Sequence, residues 1–518
     1  MIINLALVGA ALGAFTGVAP GIHVNTLAQL VLLLSPVLLG CISVALAAVG
    51  LDASIAPMLL ACMLVSAAIV HSFLDFIPSA LFGAPEEQES LSALPAHKLL
   101  LSGRSMEAIT CAASGSLTGA LVAILISVPL VLTFSTFPYL AGRIDPFIPG
   151  LLLCTAVLLI VTQPKGDGAE WSILVHRCDD ATIDIRRPIP VDGQQVTVTG
   201  HVVRDGPFSK RILVKGNSWR LQGRTKVEGM VTVHGVWKVR RRRWVPMAHA
   251  FFCFMLSGAI GVVAMDGRPP GSDLFAGLDG NLLFPMLTGL FAMPALIVSS
   301  SASKVPLQDL DSFQMADRRS SFKGVWAGLF SAWVPGVTAT AGTVLGELLG
   351  NGRMVQEDAD IRFISMTASI GTAATVFGIV AMTATGSGGT GVLIAVGEIA
   401  PMGRPSSLDM PTALLLAALV ASLVGYELTI FSGRRLAARI SGTDASRSSK
   451  AIILFELILI GAFTGLPGLI MLAASTLVGM VPPAVGVSRV SMTGCLILPL
   501  LLSYFHLSHQ VLYLLGGL

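Results

Sequence analysis

Two stretches of this chain carry residues that could do chemistry inside otherwise apolar surroundings. Gly13-Ala-Phe-Thr-Gly-Val-Ala-Pro-Gly-Ile-His-Val-Asn-Thr26 resembles Gly328-Leu-Phe-Ser-Ala-Trp-Val-Pro-Gly-Val-Thr-Ala-Thr-Ala-Gly-Thr343. In each, a small-residue run meets a Pro-Gly pair, Pro20-Gly21 or Pro335-Gly336, and a polar segment follows. A break in a helix frees N–H groups at the start of one half and C=O groups at the end of the other. The N–H end attracts anions, and the carbonyl end can coordinate a cation. His23, Asn25 and Thr26 in the first stretch, with Thr338, Thr340 and Thr343 in the second, add side-chain ligands. The chemistry implied is capture of a small organic anion, with Na+ or H+ as a coupling cation and no resident cofactor. Matched breaks in two halves point to a site built from discontinuous helices. The plainer alternative, that Pro-Gly only kinks packed membrane helices, stays open. Gly461-Ala-Phe-Thr-Gly-Leu-Pro-Gly468 is a weaker third echo.

Other polar residues interrupt apolar runs. His71 and Asp75 stand four apart and would share a helical face. Intramembrane ionisable residues are functional candidates by default, here as an ion or proton site. A hydrogen-bonded pair near the membrane interface fits the spacing equally. Ser369-Ile-Gly-Thr-Ala-Ala-Thr375 and Thr383-Ala-Thr-Gly-Ser-Gly-Gly-Thr-Gly391 interrupt later runs. The second cannot stay a regular lipid-facing helix and needs a protein-lined or watery cavity. Ser387 within it suits a flexible binding hairpin better than a nucleophile, since no partner base accompanies it. Glu398, Glu427 and Glu456 also lie in apolar company, where capping or snorkelling explains them as well. There is no HExxH or GxxxxGK[ST], so neither a zinc protease nor an ATP site is expected.

Those residues must be positioned by membrane helices. Of 518 residues, 53% are hydrophobic and only 12% charged, and mean hydropathy is +0.79. Soluble domains run near 25% charged, so a soluble enzyme is excluded. Apolar segments near 2–19, 22–50, 53–82, 106–135 and 146–163 are followed, after a polar island, by 247–265, 281–302, 324–348, 361–383, 386–403, 409–432, 449–469, 470–486 and 491–517. That predicts about 10–14 membrane segments, several of them half-spans. The N-terminus lacks a basic leader region and reads as a retained first helix. Six of the seven cysteines lie in apolar stretches and read as small buried residues, without disulfide or zinc spacing.

The island divides the chain into a first membrane half (1–163), an insertion (164–246) and a second membrane half (247–518). Lys165 to Arg243 holds 16 Lys/Arg and 8 Asp/Glu, a net of +8, leaving −5 for the rest of a +3 chain. Residues 195–203 and 229–239 alternate with period two, and 210–215 reads as a short strand. Together they predict a small oligonucleotide/oligosaccharide-binding (OB) type barrel at about 180–240. Arg204, Lys210, Arg211, Trp219 and Arg224 are its candidate ligand face, for nucleic acid or, more simply, for anionic lipid headgroups. Lys/Arg-rich loops at 303–323 and 432–450 read as cytoplasmic, as does the basic insertion.

The chain resembles the large permease subunit of the tripartite tricarboxylate transporter family, its archaeal branch above all. Pro20-Gly-Ile-His-Val-Asn-Thr26, His71-Ser-Phe-Leu-Asp-Phe-Ile-Pro-Ser79, Gly83-Ala-Pro-Glu-Glu87, Leu94-Pro-Ala-His-Lys98, Gly103-Arg104 and Val334-Pro-Gly-Val-Thr-Ala-Thr-Ala341 carry the likeness. It implies a polytopic permease of two related halves. It further implies cation-driven carboxylate uptake with a small membrane subunit and an extracytoplasmic binding protein, with His23, Asn25, Thr338 and Thr340 along the substrate path. The insertion and the His-Val-Asn continuation depart from the family pattern, and the archaeal branch need not use accessory subunits. A translocase of lipid-linked phosphate, or a membrane-anchored module that binds through its barrel, are the competing readings; homo-oligomers are compatible with each.

Overall fold

The computed structural model describes residues 1–19, 24–82, 93–143, 145–163, 170–179, 195–206, 209–214, 217–222, 229–240, 244–266, 282–300, 304–334, 342, 356–386, 388–400, 409–508 and 510–511. Two compact units emerge. One comprises 1–162, 251–483 and 489–518; the other comprises 163–250 and 484–488.

The larger unit is helical. Its first half has α1 (Ile2–Val18), α2 (Val24–Leu33), α3 (Ser35–Ala48), α4 (Ala56–Leu74), α5 (Phe76–Phe82), α6 (Ala93–Leu101), α7 (Ser105–Thr136) and α8 (Ile148–Val161). Its second half has α9 (Trp244–Asp266), α10 (Leu283–Ser299), α11 (Arg318–Trp333), α12 (Gln356–Thr385), α13 (Gly391–Ile399), α14 (Asp409–Ile440), α15 (Ala445–Gly479) and α16 (Gly494–Tyr504). Among the described residues six helices are long and apolar enough to cross a membrane, or seven if α2 and α3, bent by 72°, form one span. Beside them α1, α8, α10 and α16 are apolar but only 10–17 residues long, short of the ~20 a span needs, as expected of a chain whose 10–14 segments include half-spans.

The two halves repeat at atomic detail. In α1, Gly9 and Gly13 rest on the backbone carbonyls of Met63 and Ala67 in α4, so closely that a Cβ on either would overlap them. In α11, Gly324 and Gly328 meet Met366 O and Ile370 O of α12 in the same way. Glycines four apart form one stripe along a helix, and the missing Cβ atoms let two backbones touch. A hydrogen bond repeats with them. Ser66 Oγ donates to Ala6 O (2.5 Å), and Ser369 Oγ donates to Ser321 O (2.7 Å). Adding 315 to an α1 number and 303 to an α4 number gives the α11 and α12 counterpart in every one of these contacts.

The halves also interlock. α7 packs along α12, where Gly115 and Gly119 meet Ser365 O and Ser369 O. α14, in turn, packs along α4, where Gly425 faces Phe73. An extended segment at 304–317 ties the bundle without joining a sheet. Gln314 N donates to Thr110 Oγ1 (3.0 Å), Ala316 N to Ser114 Oγ (2.8 Å) and Asp317 N to Ser365 Oγ (2.9 Å). Hydroxyl side chains thus satisfy backbone groups that no strand serves. Asp317 then caps α11 by accepting from Ser320 N (2.8 Å). Burial raises its carboxyl pKa, but the Ser320 hydroxyl and amide, with Arg362 and Arg319, outweigh that and hold it below the usual range. The loops at 303–323 and 432–450 meet: Val305 N donates to Thr443 O (2.9 Å), and Arg434 pairs with Asp311 (3.0 Å).

The third echo proves to be a break. Gly465, inside α15, has φ 63° and ψ −155°, and a Cβ on Gly468 would lie 3.4 Å from Ile460 Cγ2. A straight helix holds residues eight apart about 12 Å apart, so α15 folds sharply at Gly465.

The smaller unit has β1 (Glu170–Asp179), β2 (Gln195–Gly206), β3 (Ser209–Val214), β4 (Asn217–Gln222) and β5 (Gly229–Arg240), closing in the order β1-β4-β3-β2-β5. The expected OB-type barrel at about 180–240 is corrected in its extent. The closing strand, β1, precedes that range, and it pairs parallel with β4 and antiparallel with β5. Of the residues expected to form its ligand face, Arg204 pairs in register with Lys210, Arg211 with Val203 and Arg220, and Trp219 with Ile212, while Arg224 lies outside the described residues. The cysteines are likewise corrected in part: Cys62, Cys111, Cys253 and Cys495 are buried, but Cys41 and Cys154 are exposed.

Candidate functional site

A small cavity of about 60 Å³ lies where the two halves meet in the helical unit. Val24 and Asn25 of α2, Val65, Ala68, His71 and Ser72 of α4, Thr375 and Ile379 of α12, and Thr390, Val392 and Leu393 at the start of α13 line it. Each position has a local cause. Asn25 is in the first turn of α2, a few residues along the chain from Pro20-Gly21. Thr390 is the N-cap of α13, its Oγ1 accepting from Leu393 N (3.4 Å). Threonine suits that place because its hydroxyl satisfies a donor that the helix leaves open. Gly391 follows, and an added Cβ would lie 2.9 Å from Asn25 Oδ1. Only glycine lets α13 begin this close to the Asn25 amide.

Two helix N-termini therefore converge, one from each half. Each carries a partial positive charge from its open N–H groups. Ser72 and Thr375 both face the same cavity, and the offset of 303 makes them repeat counterparts, so the cavity straddles the relation between the halves. Among its described lining residues there is no carboxylate, and His71 is the one ionisable side chain. His71 is buried, and its Nδ1 lies 3.0 Å from Thr16 Oγ1, which donates to Gly13 O (3.1 Å). The arrangement is suited to a small anionic or strongly polar group.

The structure gathers only part of the expected site. Asn25 and His71 share the cavity. Asp75 is buried one turn beyond His71, where it ends α4, and Ser79 Oγ donates to its carbonyl (3.2 Å). Thr26 is in the first turn of α2. Pro20, Gly21, His23, Pro335, Gly336, Thr338, Thr340 and Ser387 lie outside the described residues. Ser72, Thr375 and Thr390 are lining residues that sequence reasoning did not single out. The signal for the first two is the 303-residue offset, visible only once α4 and α12 are in register. Among the described residues no three His, Cys, Asp or Glu side chains gather as metal ligands.

Broken helices in two related halves around a polar cavity define a polytopic membrane protein of the carrier type. The comparisons make the class specific. The model of the tripartite tricarboxylate transporter TctA family matches residues 3–176 and 227–494, and the chain belongs to that family. The match leaves out 177–226, which holds β2, β3, β4 and the intervening segments of the inserted unit. An uncharacterized protein of Methanocaldococcus jannaschii is 35% identical over 171 residues, which are 33% of this chain and 38% of that relative's length. No solved structure matches the chain.

Proposed function

We propose that this chain is the permease of a secondary transporter for a small organic anion, with a carboxylate as the substrate class. The convergence of the α2 and α13 N-termini at Asn25 and Gly391, over a cavity lined by repeat-related hydroxyls, carries the reading. Half-helix N–H groups and the Asn25 amide would hold the carboxylate, and Ser72 and Thr375 would offer equivalent hydrogen bonds from the two halves. Pro335, Gly336, Thr338, Thr340 and Ser387 are proposed to complete the path, with Pro20, Gly21, His23 and Thr26 opposite them. Alternating access would move one half against the other about the glycine seams. The family relationship supports a small membrane subunit and an extracytoplasmic binding protein as partners. The Lys/Arg-rich loops that meet at Val305 and Thr443 are proposed to face the cytoplasm.

Reconstituted uptake tests this. Asn25→Ala should lower uptake of the carboxylate that stabilises the purified protein by at least tenfold, with its melting temperature within a few degrees of the parent. Undiminished uptake would remove Asn25 from the path. Stabilisation by polyprenyl phosphate alone, with no carboxylate effective, would replace this function by lipid-phosphate translocation.

A further inference from the structure

We infer that one end of the helical bundle is a docking surface for anionic lipid headgroups, built where the segment 304–317 meets the first turns of α11 and the last turns of α14. The inference is independent of the transported substrate and uses none of the cavity's residues.

The segment gathers helix ends. Asp309 N donates to Gly103 O (2.8 Å), just before α7, and Ser105 N donates to the Gln308 side chain (3.1 Å). Val305 N donates to Thr443 O (2.9 Å) between α14 and α15, and Gln308 N to Ser441 Oγ (3.0 Å). Asp317, its last residue, caps α11. The starts of α7, α11 and α15 and the end of α14 therefore share one end of the bundle.

That end is basic. Residues 304–323 and 432–450 hold nine Lys/Arg and four Asp/Glu, a net of +5. At the other end, the segment 137–147 after α7 and the segment 386–408 between α12 and α14 each hold one cation and one carboxylate, a net of 0. The four carboxylates of the basic end are engaged. Asp309 accepts from Asp311 N, Asp311 pairs with Arg434, and Asp317 and Asp444 cap α11 and α15. Arg318, Arg319, Lys323, Arg435 and Arg439 form no ion pair among the described residues. Unneutralised guanidinium forks match phosphate oxygens.

Aromatic rings accompany these cations in a fixed order. On α11, Arg318, Phe322 and Trp326 recur every four residues along one face, and the two half-exposed rings meet edge to face with centroids 6.3 Å apart. On α14, Arg435 lies over the half-exposed Phe431 ring, 4.0 Å from its centroid, and Arg439 follows one turn on. In both helices the ring lies toward the helix middle and the cation toward its end. That order fits acyl chains giving way to charged headgroups. The segment between them adds apolar surface. Its Gln314 and Ala316 amides are bonded to α7 hydroxyls, while Phe313 and Met315 are 53% and 58% exposed. Orientation of the chain in the membrane requires only the charge. It gives no reason for a phenylalanine and a methionine to face outward from a segment so firmly held; cover by lipid does. A net of +5 favours anionic over zwitterionic lipid as that cover.

The test uses the purified full-length protein in phosphatidylcholine nanodiscs that contain a minor fraction of either brominated phosphatidylglycerol or brominated phosphatidylcholine. Bromine quenches tryptophan at contact, and the Trp326 signal is the difference between the parent and Trp326→Phe. Quenching of Trp326 should be severalfold greater with phosphatidylglycerol and should weaken as salt screens the charges. Combined Arg318→Gln, Arg319→Gln and Lys323→Gln should abolish the preference, and Arg143→Gln, at the other end, should leave it. Equal quenching by the two lipids in the parent would overturn the inference without any variant, so misfolding cannot mask the result. An undiminished preference in the folded triple variant would overturn it as well. Absence of quenching by either lipid would mean that protein covers the face. Loss of a dimer in Phe313→Ser/Met315→Ser would then assign the surface to a second copy of the chain.

Discussion

At the level of single residues, the cavity depends on atoms that are missing as much as on those present. Gly391 matters because Asn25 occupies the space its side chain would need. Gly391→Ala should displace the Asn25 amide by a few tenths of an ångström or more and impair uptake about as strongly as Asn25→Ala. Gly391 begins a helix, and alanine favours helix there, so the melting temperature should stay within a few degrees. Normal uptake in Gly391→Ala would show that the Asn25–α13 contact has no part in transport. His71 and Thr16 belong to the same scale. They form a buried polar contact that ties α4 to α1, His71 Nδ1 lying 3.0 Å from Thr16 Oγ1.

At the level of elements, the helix pairs α1–α4 and α11–α12 are the repeated unit. Their seams are glycine against carbonyl, so a side chain forces the helices apart. Gly13→Ala should destabilise the protein by roughly 1–3 kcal/mol, the cost of overpacking a tight interior. Gly40→Ala, on α3, is the matched control: nothing lies within 4 Å of its added Cβ. Thermal unfolding of the two variants side by side checks this. Equal melting temperatures would mean that the seam is not a tight contact. If the seams also guide motion between halves, Gly328→Ala should slow uptake as Gly13→Ala does, since the repeat relates the two.

At the level of the whole molecule, the inserted unit forms a compact body of its own, and its middle strands lie outside the family match. Carrier function is therefore expected from the helical unit alone. Replacing residues 170–240 by a short Gly/Ser linker should leave a protein that still shows carboxylate-induced stabilisation and retains uptake. Complete loss of uptake in a stable, ligand-binding protein would instead give the insertion a direct part in transport. Its net charge of +8 across 165–243 suits anionic lipid headgroups.

What this sequence determines by itself follows from local physics. Hydropathy over windows of about 20 residues makes the chain a polytopic membrane protein. Gly-Leu-Pro-Gly is a backbone effect, so a break near 465 was legible, and the structure shows a sharp fold at Gly465. The self-similarity of 13–26 and 328–343 exposed the two halves and singled out Asn25; His71 stood out as an ionisable residue in an apolar run. Tertiary structure decided what depends on distance between segments remote in sequence. The correspondence of Ser72 with Thr375 needs the α4–α12 register, because the sequences around them share little beyond small size. Thr390 joins the site only because α13 begins against Asn25. The barrel's order needed β1, whose ten residues offer no clean alternation but pair on both edges. The number of spans could not be read from hydropathy, because a window measures how apolar a segment is and not whether its helix continues across the membrane.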